Sequence, residues 1–345
     1  MTDPTELERK AQEALPPGVY DYFATGSGIE ETLAANVRAW RSLGLRPRVL
    51  RDVSEIDTAT SVLGTPVGSP VLVAPTGYQR LAHPEGEVAT AKGCAEARSL
   101  FVLSTRATAS FDELSAVVGP WWFQVYVLRD RDLTAKIISA AVECGARALV
   151  LTGDSPYVAS KARVARIPSR GDAPGLIPEL TGREDEGTWH SPAVTFDDVA
   201  WLRELSGNLP VVVKGVLRGD DARACLDAGA AAVWVSNHGA RQVDGAIPTA
   251  VALPEVREAV GDACEVYVDG GIRTGRDVVR ALALGATAAF VGRPAIWSLA
   301  AGGADGVRDL LLSLQAEVSE TLALCGCRAV SEVGSDLVGP LPSSR

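Results

Sequence analysis

The stretch VVVKGVLRGDDARACLDAGAAAVWVSNHGARQVDG, residues 211–245, contains one full structural period. An apolar, β-branched run, Val211 to Lys214, gives way to a turn. An Ala-rich amphipathic segment follows, Gly219 to Ala228, and then a second apolar run, Ala232 to Ser236. A strand apolar at successive positions is buried on both faces, as in a parallel sheet. Parallel neighbours need a crossover of about a dozen residues, and the amphipathic segment supplies one.

The same period recurs in both directions. Upstream lie Val71–Ala74, Leu100–Ser104, Trp122–Val127 and Ala148–Thr152; downstream lie Glu265–Asp269 and Ala288–Gly292. Glu85–Ala97, Asp132–Cys144 and Thr274–Leu284 read as further crossover helices. Eight such units predict an α/β fold, a (β/α)8 TIM barrel over roughly residues 70–300 within a single domain spanning 1–345. The alternative is a doubly wound open sheet, which places a Gly-rich dinucleotide fingerprint after its first strand. Here that strand ends in Ala74-Pro75-Thr76-Gly77, which is not one. The first 65 residues read as a helical extension containing an extended run, Arg48–Asp52. Ile167–Ser191, rich in Gly, Pro and charge, is expected as a lid over the strand ends. The alternative for it is a solvated surface insertion. Asp305–Leu324 reads as a terminal helix.

The net charge of −10 disfavours general nucleic-acid binding, because an acidic surface repels phosphate backbones. The longest apolar stretch, Ala281–Val291, falls short of the ~20 residues that span a bilayer. The opening MTDPTELERK lacks the apolar core of a signal peptide. Four isolated cysteines and the pair Cys325-Gly326-Cys327, with no CxxC partner and no nearby histidine, predict reduced thiols, no metal site and a cytoplasmic location.

In such a barrel the residues at the C-terminal strand ends share one pocket. His238 and Arg241 follow the sixth strand directly, in Val235–Gly245. A histidine takes protons near neutral pH, and a guanidinium fork grips a carboxylate. Together they form a minimal site for deprotonating an anionic substrate. The competing reading is a histidine held structurally beside a surface arginine. Asp269-Gly270-Gly271-Ile272-Arg273 and Gly292-Arg293, after strands seven and eight, match a barrel phosphate site. Lys214 at the end of strand five requires a negative partner, Asp269 or a bound group.

Taken together, VYDYFATGSG, RPRVLRDVS, APTGYQRLAHPEGE, FQVYVLRDRD, LTGDSP, VKGV, SNHGARQVDG, DGGIRTGRDVVRALALGA and VGRP cover nearly the whole chain. In them the sequence resembles the FMN-dependent 2-hydroxy acid oxidase and dehydrogenase family, which includes glycolate, lactate and hydroxymandelate oxidases. The resemblance implies oxidation of an (S)-2-hydroxy acid, mandelate-like acids included, to the 2-oxo acid, with O2 as acceptor and hydrogen peroxide as product. It also implies a homo-oligomer, a tetramer. It assigns His238 as base, Asp154 as its partner, and Arg241, Tyr22 and Tyr126 as substrate contacts. Thr76, Ser104, Gln124, Thr152 and Ser236 are expected at the flavin ring, with Lys214 at its N1 and O2 edge. Asp269, Gly271, Arg273, Gly292 and Arg293 are expected to hold the ribityl and phosphate.

Three departures touch the pocket mouth. Lys161, near Arg163, stands where the family commonly has a second carboxylate-binding arginine. Arg106 stands where an aromatic or small residue is frequent, and the 167–191 segment is short. Arg106 reads either as a substrate contact or as a surface residue paired with Asp112 or Glu113. These departures leave room for a larger or amine substrate on the same FMN barrel. A catalytically silent binding protein is the rival from another class.

Overall fold

Eight parallel strands close into a barrel: β1 (Val71–Val73), β2 (Phe101–Ser104), β3 (Trp121–Val125), β4 (Leu149–Thr152), β5 (Val211–Val216), β6 (Ala232–Val235), β7 (Glu265–Val268) and β8 (Ala288–Val291). The computed structural model describes residues 3–117, 119–162, 175–182 and 185–341. All eight expected strands form, and so do the expected crossover helices, observed as Gly86–Glu96, Arg131–Glu143, Gly219–Asp227 and Gly275–Ala283.

Strand parity connects the core to the site. Successive strand side chains alternate between faces. Leu72, Val102, Trp122, Val150, Val212, Trp234, Tyr267 and Phe290 fill the barrel interior. Their sequence neighbours, such as Val71, Phe101, Phe123, Leu149 and Val213, pack in a separate cluster with the helices. Two residues on from the interior set stand Ala74, Ser104, Gln124, Thr152, Lys214, Ser236, Asp269 and Gly292. Two further on, four of the chains reach Thr76, Arg106, Tyr126 and His238. The same alternation that fills the core therefore carries polar groups to the C-terminal end.

The opposite end is plugged by an antiparallel hairpin, Thr60–Val62 with Thr65–Val67, whose Val62 and Val67 join the interior cluster. Its turn residues Leu63 and Gly64 both take positive φ, 44° and 73°, as a two-residue hairpin turn demands.

Three helices precede the barrel: α1 (Pro4–Ala14), α2 (Pro17–Ala24) and α3 (Glu31–Arg41). The expected extended run Arg48–Asp52 is a largely exposed segment outside any sheet, broken at Leu50, which is fully exposed at φ 58°. Strand pairing in the extension falls instead on Leu43–Leu45, antiparallel to Val338–Pro340. The expected terminal helix is the second half of Arg293–Leu324, which breaks at Gly302-Gly303.

Candidate active site

At the C-terminal strand ends lies a cavity of about 1070 Å³. Its wall brings together Tyr22, Thr76, Ser104, Arg106, Gln124, Tyr126, Thr152, Lys161, Lys214, His238, Arg241, Asp269, Gly271, Arg273, Gly292 and Arg293. Of the expected site residues, Asp154 and Ser236 stand one layer behind it. Ile177, Pro178, Thr188, Trp189 and His190 also line the cavity, so the described part of 167–191 does face it. Leu176–Thr181 within that segment is helical. Arg163 and residues 167–174 lie outside the described residues.

His238 sits in a left-handed turn, with φ of 59°, 62° and 63° at His238, Gly239 and Ala240. Its backbone N–H donates to Ser236 Oγ at 3.1 Å. Its Nδ1 lies 2.9 Å from Asp154 Oδ1 and 3.2 Å from Ser155 Oγ. Its Nε2 lies 3.4 Å from the Tyr126 hydroxyl. With Nδ1–H donated to the carboxylate, Nε2 keeps its lone pair. Burial works to raise the Asp154 carboxyl, yet His238, Lys214 and Ser155 hold it below the ordinary carboxylate value. Its approach depends on Gly215, at φ 107° beside a shift in the β5–β6 register. A Cβ there would stand 2.6 Å from Asp154 Cβ.

Two arginines are held by the end of α2. Arg241 Nη1 donates to the carbonyls of Tyr22 and Thr25, each at 2.9 Å. Arg293 donates from Nε to Phe23 O at 3.0 Å and from Nη2 to Thr25 O at 3.2 Å. The last carbonyls of a helix have no partner within it and carry its negative pole, which suits guanidinium groups. Burial, with Arg241 and Arg273 nearby, pushes the Arg293 guanidinium down to about 9. The Arg273 guanidinium is lowered as well, chiefly by burial.

Clustered cations with neutral acceptors call for an anion. The helix that starts at Arg293 has no side-chain cap, so its N-terminus adds positive potential at the same place. A phosphate fits these groups.

Deeper in, the wall offers hydrogen-bonding edges. Gln124 accepts from Ser104 Oγ at 3.0 Å and donates to Thr152 Oγ1 at 2.9 Å. Lys214 Nζ donates to Ser236 Oγ at 2.7 Å and pairs with Asp269 at 3.3 Å. Ser236 in turn donates to Asp269 Oδ1 at 2.7 Å. Ser236 thus lies behind Lys214 rather than on the wall where a ring contact was expected. A cationic amine beside amide and hydroxyl edges fits a planar heterocycle such as an isoalloxazine.

His190 was not among the expected site residues, yet it lines the cavity. Its ring stacks on Tyr126 at 3.8 Å between centroids. Arg106 Nε donates to its Nε2 at 3.3 Å. The surface reading of Arg106 is corrected: Glu113 is taken by Arg80 and Ser110, while Arg106 turns inward to His190 and to Thr188 O, at 2.9 Å. Lys161 reaches the cavity too, with Nζ donating to Ala159 O at 3.1 Å. Burial lowers its pKa, with Arg241 adding to the shift.

Burial, then Arg106 and His238, push the His190 imidazole down to about 3 from its ordinary 6.5. Between those values the unfolded chain binds a proton that the folded one excludes. This contribution to stability is therefore complete above the ordinary value and is lost as pH falls toward 3. The expected slope is up to ~1.4 kcal/mol per pH unit. Urea denaturation between pH 6.5 and 4 should show a shallower loss for His190→Gln than for wild type; equal slopes would refute the assignment.

The model of the FMN-dependent dehydrogenase family matches residues 11–340. The chain is 41% identical to human 2-hydroxyacid oxidase 1, over 98% of this chain and 96% of the relative. It is 42% identical to the L-lactate oxidase of Nostoc sp., over 96% of each. A crystal structure of mandelate oxidase superposes with a TM-score of 0.90 at 40% identity, covering 99% of this chain and 98% of that one. With a barrel whose phosphate and ring positions fit a flavin mononucleotide, the chain belongs to the FMN-dependent dehydrogenase family of oxidoreductases.

Proposed function

We propose that this enzyme oxidises an (S)-2-hydroxy acid to the 2-oxo acid, with O2 as acceptor and hydrogen peroxide as second product. Bound FMN supplies the two-electron acceptor. The carrying observation is the Asp154–His238–Tyr126 chain on the same cavity wall as Arg241. Arg241 grips the substrate carboxylate, helped by Tyr22 and by Lys161 in place of a second arginine. Burial pushes the Tyr22 hydroxyl up to about 12, so it remains a donor. Tyr126 is raised for the same reason and orients the substrate hydroxyl. His238 Nε2 takes the proton, and Asp154 steadies the imidazolium that results.

Arg273 and Arg293 hold the phosphate, with Gly271, Gly292 and Asp269 lining the ribityl side. Thr76, Ser104, Gln124 and Thr152 meet the ring, and Lys214 its N1 and O2 edge, with Ser236 positioning the lysine. Residues 1–345 act as one unit in this reading, because α2 supplies acceptors to two site arginines. The proposed assembly is a homotetramer, on the family resemblance. The proposed location is the cytoplasm, in keeping with six free cysteines. Among the described residues no helix is long and apolar enough to cross a membrane.

Aliphatic, aromatic and dicarboxylic (S)-2-hydroxy acids are the test set. At least one should bleach the flavin without air and release peroxide in air. A flavin-loaded enzyme that none of them reduces would overturn the proposal.

A further inference from the structure

We infer that Arg106 forms a second anion subsite, and that the preferred substrate is a 2-hydroxy acid with a carboxylate at its far end. This inference rests on the 2-hydroxy acid reading and deepens it. The first argument is parity. Val102 and Ser104 face the barrel interior and the cavity, and Arg106 continues the same series onto the cavity wall.

The second argument is charge. Arg106 uses Nε toward His190 and Nη2 toward Thr188 O, both neutral acceptors at the ordinary pH of a cell. A guanidinium has five N–H groups, so three remain for a ligand. Among the described residues no carboxylate pairs with Arg106; Glu113, the near candidate, belongs to Arg80. A half-buried cation facing neutral groups is best satisfied by an anion delivered with the substrate.

The third argument is placement. Arg106, Arg241 and Tyr22 line the same cavity, and both cations act electrostatically on the Tyr22 hydroxyl. A molecule whose 1-carboxylate meets Arg241 can direct a second carboxylate to Arg106. His190 fixes the distance of this subsite from the base, because it stacks on Tyr126, which meets His238 Nε2. It is a positioning residue for Arg106. One guanidinium matches one carboxylate in charge and fork geometry, which selects a diacid.

The experiment compares kcat/KM of the flavin-loaded enzyme for (S)-malate and (S)-2-hydroxyglutarate with those for (S)-2-hydroxybutyrate and (S)-2-hydroxyvalerate. The wild type should favour the diacids about tenfold or more, and the preference should shrink as ionic strength rises. Arg106→Met should lower the diacid-to-neutral ratio at least tenfold, whereas Arg106→Lys should keep part of it. Flavin absorbance of each variant reports that the barrel has folded. A wild-type ratio near one overturns the inference, as does a ratio that Arg106→Met leaves unchanged. If neutral acids bleach the flavin without any diacid preference, the subsite fails and the oxidase reading stands. If neither class bleaches it, the subsite fails, and the aromatic acids of the wider set decide whether the oxidase reading falls with it.

Discussion

Replacing His238 by alanine should leave FMN bound and slow flavin reduction by substrate roughly 10²–10⁴-fold, the usual contribution of a general base. The geometry of the imidazole suits this task. Its Nδ1 is committed to Asp154, its Nε2 faces the cavity, and it makes no contact with the arginines expected to anchor the phosphate through Nε2 or Nδ1. The loss should therefore appear in the rapid bleaching step rather than in flavin content. His83→Ala is the control, because that ring packs against Gly303 in the final helix, away from the cavity wall. Bleaching of His238→Ala at the wild-type rate would remove this residue from the mechanism.

Arg241→Ala should be the most damaging change to substrate capture. Truncating one partner of a hydrogen-bonded charge pair costs about 2–5 kcal/mol, roughly 30- to 5,000-fold in kcat/KM. Both kcat and KM should worsen, since in the proposed reading the guanidinium binds the carboxylate and also orients the 2-carbon toward His238. Arg241→Lys should recover little, because an ammonium cannot satisfy the two α2 carbonyls and a carboxylate with the same planar fork. A change below threefold in kcat/KM for Arg241→Ala would place the carboxylate elsewhere. Comparison with Arg106→Met separates the two cations, since only Arg241 should matter equally for mono- and diacids.

The barrel was legible because its strands are continuous apolar runs, and the period repeats eight times. The cavity wall was legible where polar residues follow strands directly, as His238 and Lys214 do. The direction of Arg106 was also within reach: counting in twos from Val102 points it inward. The position of His190 was not. It lies 84 residues from Arg106 in the chain, within a segment of no regular period, and only the folded loop stacks it on Tyr126. Nor could the sequence reveal the acceptors of Arg241 and Arg293, since backbone carbonyls leave no residue signature.

Hydrogen bonds between the end of α2 and the barrel loops have a consequence for how the enzyme assembles. Arg241 reaches back across 219 residues and Arg293 across 270. Contacts of such long range are slow to form, because loop closure must precede any gain. The strand ladders join neighbours in sequence, apart from the β8–β1 closure, and can form first. Catalytic competence is then the last property acquired during refolding, after far-ultraviolet ellipticity has recovered. It is also the first to be lost when the N-terminal segment frays. Amide exchange in residues 17–27 would track activity more closely than exchange in the strands does.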